Sequence, residues 1–327
     1  MPCGRTAKVR FFGQDHKIAQ AAQVHHSENL IGSQNSSIGR FKGDRFQCGI
    51  METPLIAASL RWLFTEWPLA ERFCAAAACG FRAVDLSLPY ELPLPELRES
   101  LLRHDLRFLY LLAAPGDWGA GDRGLAAVPG RQEEFRAGMH EAIRYASGLG
   151  RPLIHPPAGN LPEGADSAES AHVLFENLRW ACAQASEHGL RLVLEPVCRR
   201  DFPKYPINTV SQVIDLAERI GAANLGIVLD FHHVQWEHGH DMARVHAELL
   251  RAMPLLWYVQ IAFAPDRLGP DEAGHDVHAT IAEAQRLGYS GAFSCEYRPA
   301  GSSPASLRWA DRYGIRVIPG RQKETQL

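Results

Sequence analysis

From Pro54 onward, short runs of apolar and β-branched residues alternate with longer stretches whose apolar positions recur at helical spacing. The short runs are LIAASLRW, FRAVDLSL, LRFLYLLA, RPLIHPP, RLVLEPV, LGIVLDF, LWYVQIAF and GAFSCEY. The longer segments between them include PLAERFCAAAACG, EEFRAGMHEAIRYASGLG, SAHVLFENLRWACAQASEHG and SQVIDLAERIG. Several of these close on Gly, a common helix stop. Alternation of the two element types implies a parallel sheet. Eight such units in about 260 residues match the size of a (β/α)8 barrel. The pattern therefore predicts an α/β fold, a single TIM barrel. An open doubly wound sheet competes with it, but no GxGxxG follows the first strand.

Residues 1–50 follow neither period. They are polar and rich in Gln, Ser, Gly and His, as in HHSENLIGSQNSSIGRFKGD. They hold seven Lys or Arg against three Asp or Glu, a net +4, which leaves −7 on the remainder of a chain whose total is −3. That composition predicts a largely disordered N-terminal extension, with the barrel over 51–320 and a tail over 321–327. Met51 opens the patterned region and is a candidate natural start. A transit peptide is poor in acids, so Asp15, Glu28 and Asp44 count against one.

Bulk composition narrows the functional classes. Hydrophobic residues make up 46% of the chain and charged residues 22%, which suits a globular protein with a large core. No apolar run reaches the roughly 18–20 residues that span a bilayer, and no compact apolar h-region opens the chain. Seven cysteines are scattered without a CxxC pair. Neither a disulfide framework nor a zinc site is expected, and a reducing, cytoplasmic location is the simplest reading. The body of the chain carries no basic stripe, so nucleic acid is not an expected partner.

The chemistry sits at the strand ends. Active sites of such barrels lie at the C-terminal ends of the strands. The fifth run ends at Glu195, the sixth at Asp230, the seventh near Gln260 and the eighth at Glu296. The separations are 35, 30 and 36 residues, one βα unit each. Four oxygen-bearing side chains thus fall at equivalent heights on consecutive strands. Three carboxylates crowded together require a counter-charge. A divalent cation supplies it, and oxygen ligands favour Mg2+ or Mn2+. His155 ends the fourth run, and His233 follows Asp230 by three residues; either suits substrate oxygens or proton shuttling. His232 reads as wall packing, and HHVQWEHGH as a solvated helix approach. The Gly-rich stretch Ala114–Arg131 is long for a βα loop and is a candidate cover for the site, with Trp118 as an apolar lid. Its glycines do not match a phosphate-binding GxxxxGK[ST].

Several stretches together resemble the hydroxypyruvate isomerase family of xylose-isomerase-like barrels, also called sugar phosphate isomerase/epimerases. They are FTEWPLAERFCAAAACGFRAVDL, APGDWGAGDRGLAAVPGR, LVLEP, LDFHH, YVQIA, PDR and GAFSCEYRP. The resemblance runs from about Ile56 to Ile315. It implies a divalent-metal isomerase of a short hydroxy-oxo acid, interconverting hydroxypyruvate and tartronate semialdehyde or isomerising 2-oxo-tetronates. The family's paired proton-transfer glutamates fall on Glu195 and Glu296. Its other metal positions fall on Asp230 and Gln260, and its histidines on His155 and His233. The chain departs from the pattern at Leu112, where relatives often carry Asn. It also departs at Lys204, where relatives often carry His and where a lysine offers a point charge to a substrate carboxylate. These departures bear on the substrate more than on the reaction type.

Other readings use the same scaffold. An epimerase, a sugar-acid dehydratase and a two-carboxylate glycosidase are alternatives, and the glycosidase would need no metal. A non-catalytic metabolite-binding barrel is disfavoured by the intact ligand set. A DNA-repair nuclease would need more histidine ligands and a basic face. The expected partner is a small-molecule substrate, with no organic cofactor, no membrane and a possible homo-oligomer.

Overall fold

The computed structural model describes residues 53–316; the expected extension over 1–50 and tail over 321–327 lie outside the described residues. Nine parallel strand segments form one sheet. They are β1 (Ile56–Ser59), β2 (Ala83–Asp85), β3 (Arg107–Phe108), β4 (Tyr110–Leu112), β5 (Leu153–His155), β6 (Leu192–Leu194), β7 (Leu225–Asp230), β8 (Leu256–Ile261) and β9 (Ala292–Cys295). Their order is β3-β2-β1-β9-β8-β7-β6-β5-β4. The two ends of that order are consecutive pieces of one stave, so the sheet curls into the expected eight-stave barrel. The third run, LRFLYLLA, is divided at Leu109: β3 bonds to β2, and β4 to β5. Leu109 and Leu112 donate across to Val84 and Ser87 (3.0 and 2.8 Å), which brings the ends together.

The helices fall between the staves: α1 (Leu69–Ala78), α2 (Leu94–Arg103), α3 (Gln132–Gly148), α4 (Ser167–Glu187), α5 (Val210–Ile220), α6 (Phe231–Glu237), α7 (Met242–Ala252), α8 (Pro270–Ala273) and α9 (Val277–Arg286). Their ends follow local chemistry. Thr209 and Gln212 form a reciprocal capping box at the start of α5, and Gly221 ends it in the left-handed conformation at φ +67°. Asp166, Asp241 and Asp276 cap α4, α7 and α9 with their carboxylates.

Side-chain alternation along the staves divides the core and aims the site. Leu192 and Leu194, Ile227 and Leu229, Val259 and Ile261, and Phe293 and Cys295 belong to the large core shared with the helices. The alternate positions, Val193, Val228, Tyr258 and Ala292, make a smaller core with Tyr110 and Leu153. One more step of two from these residues gives Glu195, Asp230, Gln260 and Ser294, and the next step on the last stave gives Glu296. The register agrees, pairing Val228 with Tyr258, Asp230 with Gln260 and Gln260 with Ser294. Period-two geometry thus carries polar groups to the end of staves that are otherwise apolar on both faces.

The long loop Ala114–Arg131 is pinned against the chain that follows β5. Leu125 and Ala126 both donate to the Pro157 carbonyl (3.2 Å each), and Ala127 donates to Ala158 (2.8 Å). The backbones approach closely because both sides carry glycine. Gly159 has φ +94°, and a Cβ on it would lie 2.1 Å from the Gly124 carbonyl oxygen. Gly159→Ala is therefore expected to cost about 1–3 kcal/mol through left-handed strain and overlap. That is a fall in Tm of roughly 3–10 °C for a domain of this size, read by thermal denaturation. An unchanged Tm contradicts the close packing.

Candidate active site

Each stave delivers its group by a simple device. Glu195 directly follows β6, and Glu296 directly follows β9. His155 is the last residue of β5. Asp230 ends β7 and also caps α6, accepting from the His232 N–H at 2.9 Å. Gln260 lies within β8, beside Asp230. All five are buried.

The structure brings most of the predicted residues together. Glu195 Oε2 is 3.4 Å from His155 Nδ1, and Glu195 Oε1 is 3.5 Å from His233 Nε2. His233 Nε2 is 3.8 Å from Asp230 Oδ2. One ligand atom each from Glu195, Asp230 and His233 lie within 4.8 Å of one another. Glu296 joins through Arg267, whose Nη1 donates to Asp230 Oδ2 (2.7 Å) and lies 3.5 Å from Glu296 Oε2. Arg267 Nη2 is 2.9 Å from His233 Nε2. An arginine only donates, so that histidine nitrogen accepts and Nδ1 carries the proton, directed at Cys198 Sγ (3.1 Å).

Arg267 is the central residue that sequence reasoning left without a role. The crowded carboxylates call for a cation, and Arg267 supplies one from the protein itself. The signal is present: a lone arginine in the turn that follows β8, between the staves that carry Gln260 and Glu296. Two other expectations need correction. Lys204 is exposed and does not line the cavity. Its neighbour Tyr205 takes the inward place and accepts from the Ala158 N–H at 2.8 Å. The HHVQWEHGH stretch is a solvated approach only at its far end, where Gly239 and His240 are exposed; Asp230 starts α6 inside the mouth, and His232, His233, Val234 and Gln235 are buried. His232 lines the cavity and bonds Asp201 Oδ2 through Nε2 (2.9 Å), which is more specific than wall packing. Trp118 does line the cavity; it is 42% exposed and sits edge-on to Phe202 with the Arg123 guanidinium 3.9 Å above its ring.

The electrostatics follow from burial. Desolvation, with the Asp230 charge adding to it, pushes Glu195 up to about 8, against the opposing pull of Arg267. Burial likewise holds Glu296 well above the ordinary carboxylate range. Burial would also raise Asp230, but Arg267, with the His232 N–H that donates to it, outweighs burial and keeps that carboxyl below its usual value. His155 and His233 are both driven down to about 3 by burial and are neutral. The arrangement therefore holds two protonatable acids beside a fixed anion–cation pair.

The same residues fit a hard divalent cation. Glu195, Asp230 and Glu296 offer carboxylate oxygens, with His233 alongside. The Gln260 amide oxygen is buried without a hydrogen-bond partner, a group that a cation would satisfy.

Comparison with known proteins decides the lineage. Residues 73–313 match the family model described as xylose isomerase-like TIM barrel. The 2-oxo-tetronate isomerase of Cupriavidus necator is 38% identical over 80% of this chain and 98% of its own. The hydroxypyruvate isomerase of Escherichia coli is 34% identical over 79% of this chain and 98% of its own. The chain belongs to the hydroxypyruvate isomerase family of xylose isomerase-like barrels. By that membership it is an isomerase. A solved Brucella melitensis structure, titled AP endonuclease, family 2, is 34% identical, with TM-score 0.74 over 80% of this chain and 99% of its own. A D-allulose 3-epimerase from Methylomonas sp. shares the fold at 19% identity, with TM-score 0.61 over 82% of this chain and 92% of its own. Among the described residues, no helix is long and apolar enough to cross a membrane.

The raised glutamates make metal-free stability depend on pH. Glu195 has a folded pKa of about 8 against 4.5 ordinarily. Its contribution is present in full below the lower value and is lost as pH rises through the higher one. The buried histidines, with folded values about 3 against 6.5, act in the opposite sense, but only below about 6.5. From pH 6.5 to 8 the chelator-treated protein is therefore expected to lose Tm. Glu195→Gln should flatten that fall and raise Tm at pH 8 by a few degrees. Equal slopes for the two proteins contradict the assignment.

Proposed function

We propose that this chain is a divalent-metal-dependent isomerase of a short hydroxy-oxo acid, converting hydroxypyruvate to tartronate semialdehyde (2-hydroxy-3-oxopropanoate) through an enediolate. The observation that carries the reading is the pair of buried glutamates, Glu195 and Glu296, on either side of the cation-stabilised Asp230. Glu195, Asp230, Gln260 and Glu296 are the residues that would hold Mg2+ or Mn2+. Bound there, the ion supplies positive charge where the enediolate develops its negative charge.

The remaining chemistry falls to the side chains. One glutamate takes a proton from C3 of hydroxypyruvate, and the other returns a proton to C2. The hydroxyl and carbonyl oxygens exchange roles in the same step, with one proton passing from O3 to O2, so atoms and charge balance. Neutral His155 and His233 are suited to exchange hydrogen bonds with those two oxygens without adding charge. A divalent cation there would help to ionise the glutamate that acts as base, while burial favours the protonated form that the other needs to return a proton. Arg267 donates to Asp230 Oδ2, so it would sit beside the cation and share the Asp230 carboxylate with it. Trp118, backed by Phe202, forms an apolar wall that limits water.

The cavity of about 560 Å3 is roomy for a three-carbon acid, which favours a four-carbon 2-oxo-tetronate as the second substrate reading. The same pair of glutamates would serve both.

Chelation is expected to abolish turnover, and added Mg2+ or Mn2+ to restore it. Glu195→Gln and Glu296→Gln should each lower kcat by about 10²–10⁴-fold with the fold retained by circular dichroism. Turnover in D2O should place solvent deuterium at C2 of the product, read by NMR. Substantial residual activity in both variants, or full activity in excess chelator, overturns the proposal.

A further inference from the structure

We propose that Arg61 and Arg298 form a carboxylate seat at the cavity mouth, which selects oxo-acids over neutral sugars of the same length. This rests on the isomerase reading for its substrate but stands on its own geometry. Five guanidiniums line the cavity: those of Arg61, Arg123, Arg200, Arg267 and Arg298. Three are already engaged. Arg267 is committed to Asp230 and Glu296. Arg200 lies 3.4 Å from Asp201 and 3.8 Å from Asp266. Arg123 donates to the Trp118 and Asp122 carbonyls at 3.1 and 2.7 Å.

Arg61 and Arg298 form no ion pair with any carboxylate among the described residues, and both are exposed at the mouth. They come from neighbouring staves. Ala58 pairs with Cys295 across β1 and β9, and each arginine lies three residues beyond its paired position. The Trp62 ring is near both Arg298 and the central arginine: Arg267 lies 5.1 Å and Arg298 5.8 Å from its centroid. The Arg298 N–H donates to the Arg267 carbonyl at 2.7 Å, tying the mouth to the centre of the site. Arg298 also follows Glu296 by two residues, so the seat stands beside a proposed proton-transfer group.

A guanidinium presents a planar fork that matches a carboxylate with two parallel hydrogen bonds. Two unpaired forks on one wall favour an anion and gain little from a hydroxymethyl group. The D-allulose 3-epimerase that shares this fold was solved with a neutral sugar. The two chains share the fold; the arginines at this mouth give a reason for this chain to require an acid.

The test compares hydroxypyruvate with dihydroxyacetone, its neutral counterpart, in the Mn2+-loaded full chain. Arg298→Ala should raise KM for hydroxypyruvate about 10–100-fold while leaving kcat within about threefold. The ratio of kcat/KM for acid over neutral substrate should fall at least tenfold, and further in the Arg61→Ala/Arg298→Ala double variant. Arg298→Lys should recover part of the loss, since it restores charge without the fork. An unchanged ratio in the double variant, or equal losses on both substrates, overturns the seat. Calorimetry with D-glycerate separates this from the isomerase reading. If wild type turns over neither substrate, the isomerase reading fails, while tenfold weaker glycerate binding by the double variant still supports the seat. Equal binding, or no binding by wild type, overturns it.

Discussion

Several carboxylates buried at one end of a barrel must be matched by positive charge, and the rest of the site depends on that requirement. Glu195, Asp230 and Glu296 are all inside the mouth. Left unbalanced, each would cost several kcal/mol of desolvation. Arg267 meets the requirement in the protein alone: it bonds Asp230, approaches Glu296 and holds His233 in one tautomer. Only one of the three acids is thereby stabilised as an anion. The other two are pushed toward their protonated forms, which gives one small site both an anionic anchor and two groups suited to moving protons.

The barrel explains how such a site is held in place. Staves that are apolar on both faces fix the height of the residue at each end, and the period of two decides which residues face the mouth. The chemistry is thus set on rigid elements, while recognition is left to the loops. Trp62, Trp118 and the five arginines come from segments beyond the strand ends. Relatives with different named substrates share the barrel. The mouth is where they have room to differ.

What was legible in the sequence follows the same division. Glu195, Asp230, Gln260, Glu296 and His155 end recognisable apolar runs, so counting along the strands located them. The third stave was read as continuous, but it divides at Leu109, where its bonding passes from one neighbour to the other. Loop residues carry no period, and the reading was weakest there. Lys204 looked like the substrate's cation but faces outward, with Tyr205 taking the inward place. Arg267 lies in a turn with φ +57°, a backbone state that strand or helix periodicity does not register. The run HHVQWEHGH looks solvated because it is polar, yet its first residues, His232 and His233, are buried. Asp230 makes them the first turn of a buried helix. In each case a tertiary contact, not a local preference, decided where the side chain went.

The proposed metal and Arg267 both draw on the Asp230 carboxylate, and a direct measurement can locate the ion. A crystal structure of the Mn2+-soaked protein with anomalous scattering would locate the ion. The expected result is one strong peak among Glu195, Asp230, Gln260 and Glu296. A peak elsewhere, or no peak, would contradict the idea that these stave ends were assembled around a hard cation.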